Sequence, residues 1–379
     1  MRYNFDIPTK ISFLTLEQLQ SEILGNFNGK SILFFITERM AERFLLTQAL
    51  EKLKQTNHLI QVSQISPNPT EKDVEAALRN WNKDIDTVIA LGGGSTIDLA
   101  KATIGLSYLC NKDTISSEVI KKEIITKNYL NYPVVLDFIA IPTTAGTSSE
   151  VTSWATIWDT ARSMKMSVEA KWLAPSTAYI IPELTLRLTD RLTLTTGLDA
   201  LSHAVESYWS KSSNVITREF SKNAISIIVE YLPRALKDPR NIEYRERLCL
   251  GALLSGMAFG NTKTTACHSI SYPLTMRYGI EHGFAVIITL AEVMKRNEAK
   301  IVDFEGLLKA FGASSVQDVQ RWINQTCEGI QRIKLRDFGI GKDDIDEIAQ
   351  AAFTVGRMDN NPAELSIQDV KTILLNCYE

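Results

Sequence analysis

Apolar residues in the first half of the chain come in short runs rich in β-branched side chains, at residues 32–37, 59–65, 87–91 and 138–141. Between them lie longer mixed stretches, such as 38–52 and 70–81, whose apolar positions recur at helical spacing. The short runs do not alternate strictly, which predicts strands buried on both faces, and the βαβ rhythm predicts a parallel sheet covered by helices. Ligands of such sheets sit beyond the carboxyl ends of the strands. After about Pro182 the strand-like runs stop, and residues 217–236, 244–259 and 343–355 repeat apolar positions at helical intervals. The expected fold class is therefore α/β plus all-α. A Rossmann-like parallel-sheet domain is expected over residues 1–187, and a helical domain over 188–379. Without a repeat or a Pro- or Gly-rich linker between them, the two halves are expected to pack closely and leave a ligand cleft.

Composition removes several functions. The 379 residues carry 41 basic and 44 acidic side chains, a net charge of −3, which gives no electrostatic footprint for a nucleic-acid partner. No apolar stretch reaches the roughly 18 residues a membrane-spanning helix needs; the nearest, residues 283–294, is interrupted by Glu292. Asp6 and Pro8 stand where an export signal would need a continuous apolar core. Cys110, Cys249, Cys267, Cys327 and Cys377 are odd in number and lack any C-x-x-C pair, as expected of free thiols in a cytoplasmic protein.

Two segments offer anion-binding chemistry. The run 87–91 leads into Gly92-Gly93-Gly94-Ser95-Thr96 and then the helical Ile97-Asp98-Leu99-Ala100-Lys101. Glycines let the backbone approach an anion, and the following helix start points N–H groups at it. The spacing is not G-x-G-x-x-G, and one Gly-rich turn alone is as readily an ordinary strand-to-helix connection. A second turn, Pro142-Thr143-Thr144-Ala145-Gly146-Thr147-Ser148-Ser149-Glu150, follows another strand. Two donor-rich turns at one sheet edge suit a dinucleotide pyrophosphate.

Of only four histidines, His203, His268 and His282 fall in the helical half. Asp199 and His203 stand at i and i+4, so both project from one helix face. Alone the pair reads as a surface contact. With His268 and His282 it makes one carboxylate and three imidazoles, a set suited to divalent Fe, Zn or Mn. The alternative is three unrelated histidines capping helices or buried in the core. His58, in a polar loop, reads as solvent-exposed. Glu206, one turn beyond His203, reads first as a salt-bridge residue, with orientation of a ligand as the sharper option. Trp154 and Trp158, in an alternating stretch, read as core positions or as a pocket wall.

Taken in order, Asn68-Pro69-Thr70, GGGST followed by I-D-L-A-K, PTTAGTSSEVT, Pro182-Glu183-Leu184-Thr185, GLDALSHAVESY, the segment from His268 to His282, and Asn360-Asn361-Pro362 resemble the iron-containing alcohol dehydrogenase family. That family lies within the wider dehydroquinate-synthase-like group, and the resemblance covers almost the whole chain. It implies Asp199, His203, His268 and His282 as ligands of Fe(II), with Zn or Mn allowed by ligand type. It implies Glu38, Asn68, Gly93, Gly94, Ser95, Asp98, Thr143, Thr144, Thr147 and Lys165 around NAD(H) or NADP(H). The implied reaction is hydride transfer between that cofactor and a small aldehyde or primary alcohol, in a homo-oligomer such as a dimer.

The chain also departs from the family pattern. Tyr272 stands where a second histidine often lines the site, so a proton relay is in question and Tyr272 is the catalytic candidate there. Ser148 stands where Gly is common. Glu38 would repel a 2′-phosphate and Arg39 would attract one, with a slight lean to NAD(H). Residues 268–275 and 154–159 resemble a subgroup that reduces phosphonoacetaldehyde to 2-hydroxyethylphosphonate. A dianionic substrate needs cations, and Arg277, Lys165 and Arg162 are available, with Trp154 as a wall; an ordinary salt bridge is the alternative for Arg277. Competing functions are a dehydrogenase of uncharged alcohols or diols, and a non-catalytic nucleotide-binding homologue.

Overall fold

In a computed structural model, which describes residues 4–111, 115–159 and 164–379, the parallel sheet is organised around a strand with no exposed residue. The strands are β1 (Lys10–Phe13), β2 (Ser31–Phe35), β3 (His58–Val62), β4 (Thr87–Gly92), β5 (Asp137–Pro142), β6 (Trp154–Asp159), β7 (Met164–Glu169) and β8 (Thr177–Ile180). Six of them form one sheet in the order β1-β8-β5-β4-β2-β3, every pairing parallel. All six residues of β4 are buried, which is why its sequence reads as a continuous apolar run. Successive side chains of the central strands go to opposite faces. Leu33, Val88, Ala90 and Phe138 join one apolar cluster, while Ile32, Phe34, Ile89 and Ile139 join the other. The edge strand β1 and its neighbour β8 escape a reading by apolar runs because each is four residues long and only partly buried.

The chain divides into two compact units. Residues 7–144 and 148–185 form the sheet unit; the described residues 4–6, residues 145–147 and residues 186–379 form the helical unit. Within the helical unit, α2 (Asp190–Trp209) packs against α3 (Val215–Lys237), α4 (Ile242–Thr262) and α6 (His282–Asn297), and α5 (Ala266–Tyr278) packs on α6. Asn214 caps α3 through a reciprocal capping box with Thr217. In the sheet unit, the helix expected over 70–81 runs Glu71–Leu78, started by a capping box between Thr70 and Asp73. The helix expected over 38–52 is instead two, Glu38–Arg43 and Thr47–Thr56. Leu45 breaks it, with φ of 54° in the left-handed region.

α1 (Gly94–Leu106) follows β4 directly and carries a lysine with no exposed surface. Lys101 Nζ donates to the carbonyls of Ser149 (2.5 Å), Thr152 (2.7 Å) and Trp154 (3.1 Å) and to Thr152 Oγ1 (3.1 Å). One side chain thus fixes the path of residues 149–154 after the second donor-rich turn. Burial lowers the Lys101 ammonium to about 8, partly offset by the charges of Asp98 and Glu150. Replacing Lys101 by Ala is expected to cost about 3–5 kcal/mol, because the buried carbonyls and carboxylates around it lose their partner. Urea unfolding of the variant against wild type measures this.

Candidate functional site

The carboxyl edge of the sheet brings the two donor-rich turns together. β4 and β5 are neighbours whose register ends with Gly92 opposite Pro142, and Thr143 N–H donates to the Gly92 carbonyl at 3.0 Å. A Cβ on Gly92 would lie 2.2 Å from Thr96 Oγ1, so only glycine lets β4 turn into α1 here. Gly93 is the N-cap of α1 and supplies no side-chain cap, leaving the first N–H groups, from Gly94 and Ser95, without an intrahelical partner. Asn68, at φ 54°, lays its N–H on Ser95 Oγ at 3.1 Å. Among the described residues Thr143 Oγ1 is buried without a hydrogen-bond partner, and Thr144 lies 3.5 Å from where a Gly93 Cβ would be. An orphaned hydroxyl beside unpaired helix N–H groups fits the phosphate of a dinucleotide. Glu38 is exposed in the first turn of the helix after β2. Ser148 adopts φ 52°, the left-handed conformation that favours glycine. Thr147 lies in the short stretch that belongs to the helical unit, where neighbouring Gly146 packs on Thr196.

In the helical unit the Asp/His set converges. Asp199 Oδ1 lies 3.8 Å from His203 Nε2, 3.7 Å from His268 Nε2 and 3.8 Å from His282 Nε2. Two ligands about 2.1 Å from one tetrahedral ion stand roughly 3.4 Å apart, so these separations suit a shared cation. Asp199, His268 and His282 each offer one donor atom within 4.8 Å of the others. His203 stacks between His268 (ring centroids 4.5 Å apart) and Phe259 (4.0 Å). Among the described residues Asp199 Oδ1 and His268 Nε2 are buried with no hydrogen-bond partner, which fits atoms that ligate an ion. Burial acts to raise the Asp199 carboxyl, but the three imidazoles outweigh it and hold it well below the usual range. His282 is the most open member, its side chain 32 % exposed.

Two features place these side chains. Asp199 and His203 share a face of α2, and His282 starts α6, which crosses α2 so closely that a Cβ on Gly283 would lie 1.8 Å from the Thr195 carbonyl oxygen. The second feature is Glu206, fully buried on α2 one turn beyond His203. Its Oε2 bonds His268 Nδ1, and its Oε1 accepts from Thr265 Oγ1 (2.7 Å) and Cys267 N–H (2.7 Å). Trp209 Nε1 in turn donates to Thr265 Oγ1 at 2.7 Å. Engaging Nδ1 leaves His268 Nε2 as the nitrogen facing Asp199. Glu206 therefore carries the orienting contact rather than an isolated salt bridge. Spacing alone does not reveal this, because its partner lies 62 residues away.

Other expected residues fall elsewhere. Arg277 sits in the last turn of α5, nine residues and about 13 Å of helix rise beyond His268. It pairs with Glu347 at 2.6 Å, the salt bridge that was the alternative to a substrate-anion role for it. Asp98 has both oxygens engaged, with Ser149 Oγ (2.8 Å) and Thr156 N–H (2.8 Å), and so holds the segment after the second turn. Trp154 opens β6 opposite Glu169, and Lys165 lies opposite Trp158 in the same hairpin. Tyr272 is buried one turn along α5 from His268 and stacks near His282, centroids 6.4 Å apart. Arg162 lies outside the described residues.

Two family models match the chain: iron-containing alcohol dehydrogenase over residues 8–182, and the C-terminal part of the Fe-containing alcohol dehydrogenase family over 193–378. An NAD-dependent methanol dehydrogenase of Bacillus methanolicus is 32% identical over 82% of this chain and 82% of its own length. A phosphonoacetaldehyde reductase of Streptomyces viridochromogenes is 34% identical over 62% of this chain and 60% of its own. The crystal structure of a sulfoacetaldehyde reductase from Bifidobacterium kashiwanohense with NAD+ superposes with a TM-score of 0.85 at 26% identity, covering 100% of this chain and 99% of that one.

Two substitutions test the build of the site. Glu206→Gln is expected to weaken divalent-metal affinity by about 10–100-fold, measured by competition with a chelator. Gly283→Ala is expected to cost about 1–3 kcal/mol in chemical unfolding as α6 is pushed off α2. The same variant should bind metal more weakly, because His282 moves with the helix.

Proposed function

The chain belongs to the iron-containing alcohol dehydrogenase family, and from that premise we propose that it reduces a small aldehyde to the primary alcohol with NADH or NADPH, using a divalent metal held by Asp199, His203, His268 and His282. The observation that carries this reading is the single Asp199 oxygen placed 3.7–3.8 Å from three imidazole nitrogens. The donors, one carboxylate and three imidazoles without thiolate, suit Fe(II) and admit Zn or Mn.

The reaction converts aldehyde, NAD(P)H and a proton into alcohol and NAD(P)+. A divalent ion supplies a positive charge that polarises a carbonyl oxygen and offsets the negative charge developing there. The chain's own residues do the rest. The turns at 92–96 and 142–147 hold the pyrophosphate through backbone N–H groups and threonine hydroxyls, with Asn68 and Lys165 beside them. Glu206 keeps His268 in one tautomer and one orientation. Tyr272, beside His282, carries the hydroxyl that replaces the family's second histidine. Glu38, exposed in the first turn after β2, favours a free ribose over a 2′-phosphate and so NADH over NADPH. Two similar proteins are named for aldehydes that carry an acidic group, a phosphonate and a sulfonate. This supports a charged aldehyde, phosphonoacetaldehyde among them, over methanol or a diol.

His268→Ala is expected to lose bound metal and aldehyde reduction together. Metal analysis alongside initial rates of NADH oxidation, in protein loaded anaerobically with Fe(II), checks both; full activity with unchanged metal content refutes the assignment. Chelation should abolish turnover in wild type, and added Fe(II) should restore it.

A further inference from the structure

Lys263 is the C-cap of α4 and adopts φ 61°, ψ 176°, a backbone region essentially reserved for glycine, where any side chain costs of order 1–3 kcal/mol. Such a conformation persists only when its surroundings impose it, and here they do. Asn360 Nδ2 donates to the carbonyls on both sides of it, those of Thr262 (2.9 Å) and Thr264 (3.1 Å), and Ser210 Oγ donates to the Thr262 carbonyl as well. The clamped segment lies against the histidine cluster. Lys263 N–H bonds the carbonyl of Phe259, whose ring stacks on His203. Two residues further on, Thr265 donates to the Glu206 carboxylate that holds His268.

A second cationic residue is tied through its backbone to the same segment from a distant part of the sequence. Asn360 N–H bonds the carbonyl of Arg357 at 3.1 Å, so the residue that clamps Lys263 is hydrogen-bonded to the backbone of Arg357. The loop leading to Arg357 is tied to the residue after His268: Ser269 Oγ donates to the Ala352 carbonyl and accepts from Thr354 N–H at 3.0 Å. Arg357 is half-buried. Among the described residues its guanidinium pairs with no carboxylate, and its one side-chain bond goes to the neighbouring Gly356 carbonyl at 2.9 Å. A half-buried guanidinium with its donors so little used is a ready partner for an anion.

The geometry points to Lys263 and Arg357 as an anion subsite beside the Asp/His cluster, taking the tetrahedral oxyanion group, sulfonate or phosphonate, of a short aldehyde whose carbonyl lies at the metal. This rests on the aldehyde-reductase reading above and supplies its specificity-determining cations. Glycine would satisfy the backbone at this position, whereas a lysine adds a long cationic side chain that can meet the anion.

The test reads binding directly. Calorimetric dissociation constants are measured for ethylphosphonate, ethanesulfonate and the neutral 1-propanol with metal-loaded wild type, Lys263→Gly and Arg357→Gln. Wild type should bind at least one anion more tightly than the alcohol, and each variant should lose about tenfold or more of that affinity, as for one charge-assisted hydrogen bond. Preference for ethylphosphonate assigns the dianion, and preference for ethanesulfonate the monoanion. Lys263→Gly should unfold at a temperature no lower than wild type, which separates lost contact from lost fold, and Arg357→Gln gives an independent second reading. Anions bound no better than 1-propanol by wild type, or equally well by wild type and both variants, overturn the proposal. Failure of metal-dependent aldehyde reduction with anion binding intact would instead count against the functional reading alone.

Discussion

One buried carboxylate oxygen facing three imidazole nitrogens is the constraint on which the helical unit depends. Asp199 is 4% exposed, and an ionised carboxylate so deeply buried is tenable only where positive charge compensates it. The imidazoles come from three helices, α2, α5 and α6, so satisfying Asp199 fixes their mutual positions. The close crossing at Gly283 and the Glu206 contact to His268 follow from that demand. Thr265, Trp209 and the Cys267 backbone then follow from the need to satisfy Glu206, which has no exposed surface of its own. The polar interior of this unit is a chain of obligations that starts at one oxygen.

The sheet unit solves a simpler problem by similar means. Its strands are apolar enough to be buried on both faces, and that leaves its polar chemistry at the carboxyl edge, where β4 and β5 end side by side. Gly92 and Gly93 let the backbone turn there without side-chain interference. Lys101 and Asp98 hold the segment that follows the second turn, so the edge that offers helix N–H groups is braced from beneath by the hydrogen bonds of two charged side chains.

Much of this was legible in the sequence, for physical reasons that differ by element. The central strands announce themselves because burial on both faces forces continuous apolar runs, whereas β1 and β8 do not, being short and only partly buried. The i, i+4 spacing of Asp199 and His203 shows a shared helix face, but the joining of His268 and His282 to them depends on helix crossings that spacing does not encode. The Glu206 contact and the Arg277 ion pair escape the sequence for one reason: each is defined by a partner far along the chain, His268 for the first and Glu347 for the second. Lys263 gave no signal at all, since a lysine in a glycine-type conformation is visible only in φ and ψ. The match to Asn360-Asn361-Pro362 was the nearest clue, because Asn360 is the clamp.

The central claim is that Asp199, His203, His268 and His282 hold one metal ion. Crystals grown from Fe(II)-loaded protein, with anomalous differences recorded on both sides of the iron absorption edge, test it most directly. A single strong peak bounded by Asp199 Oδ1 and the Nε2 atoms of His203, His268 and His282 is expected, absent from crystals of Asp199→Asn. Fully loaded protein with no peak at these residues, or with its only peak elsewhere, would contradict it.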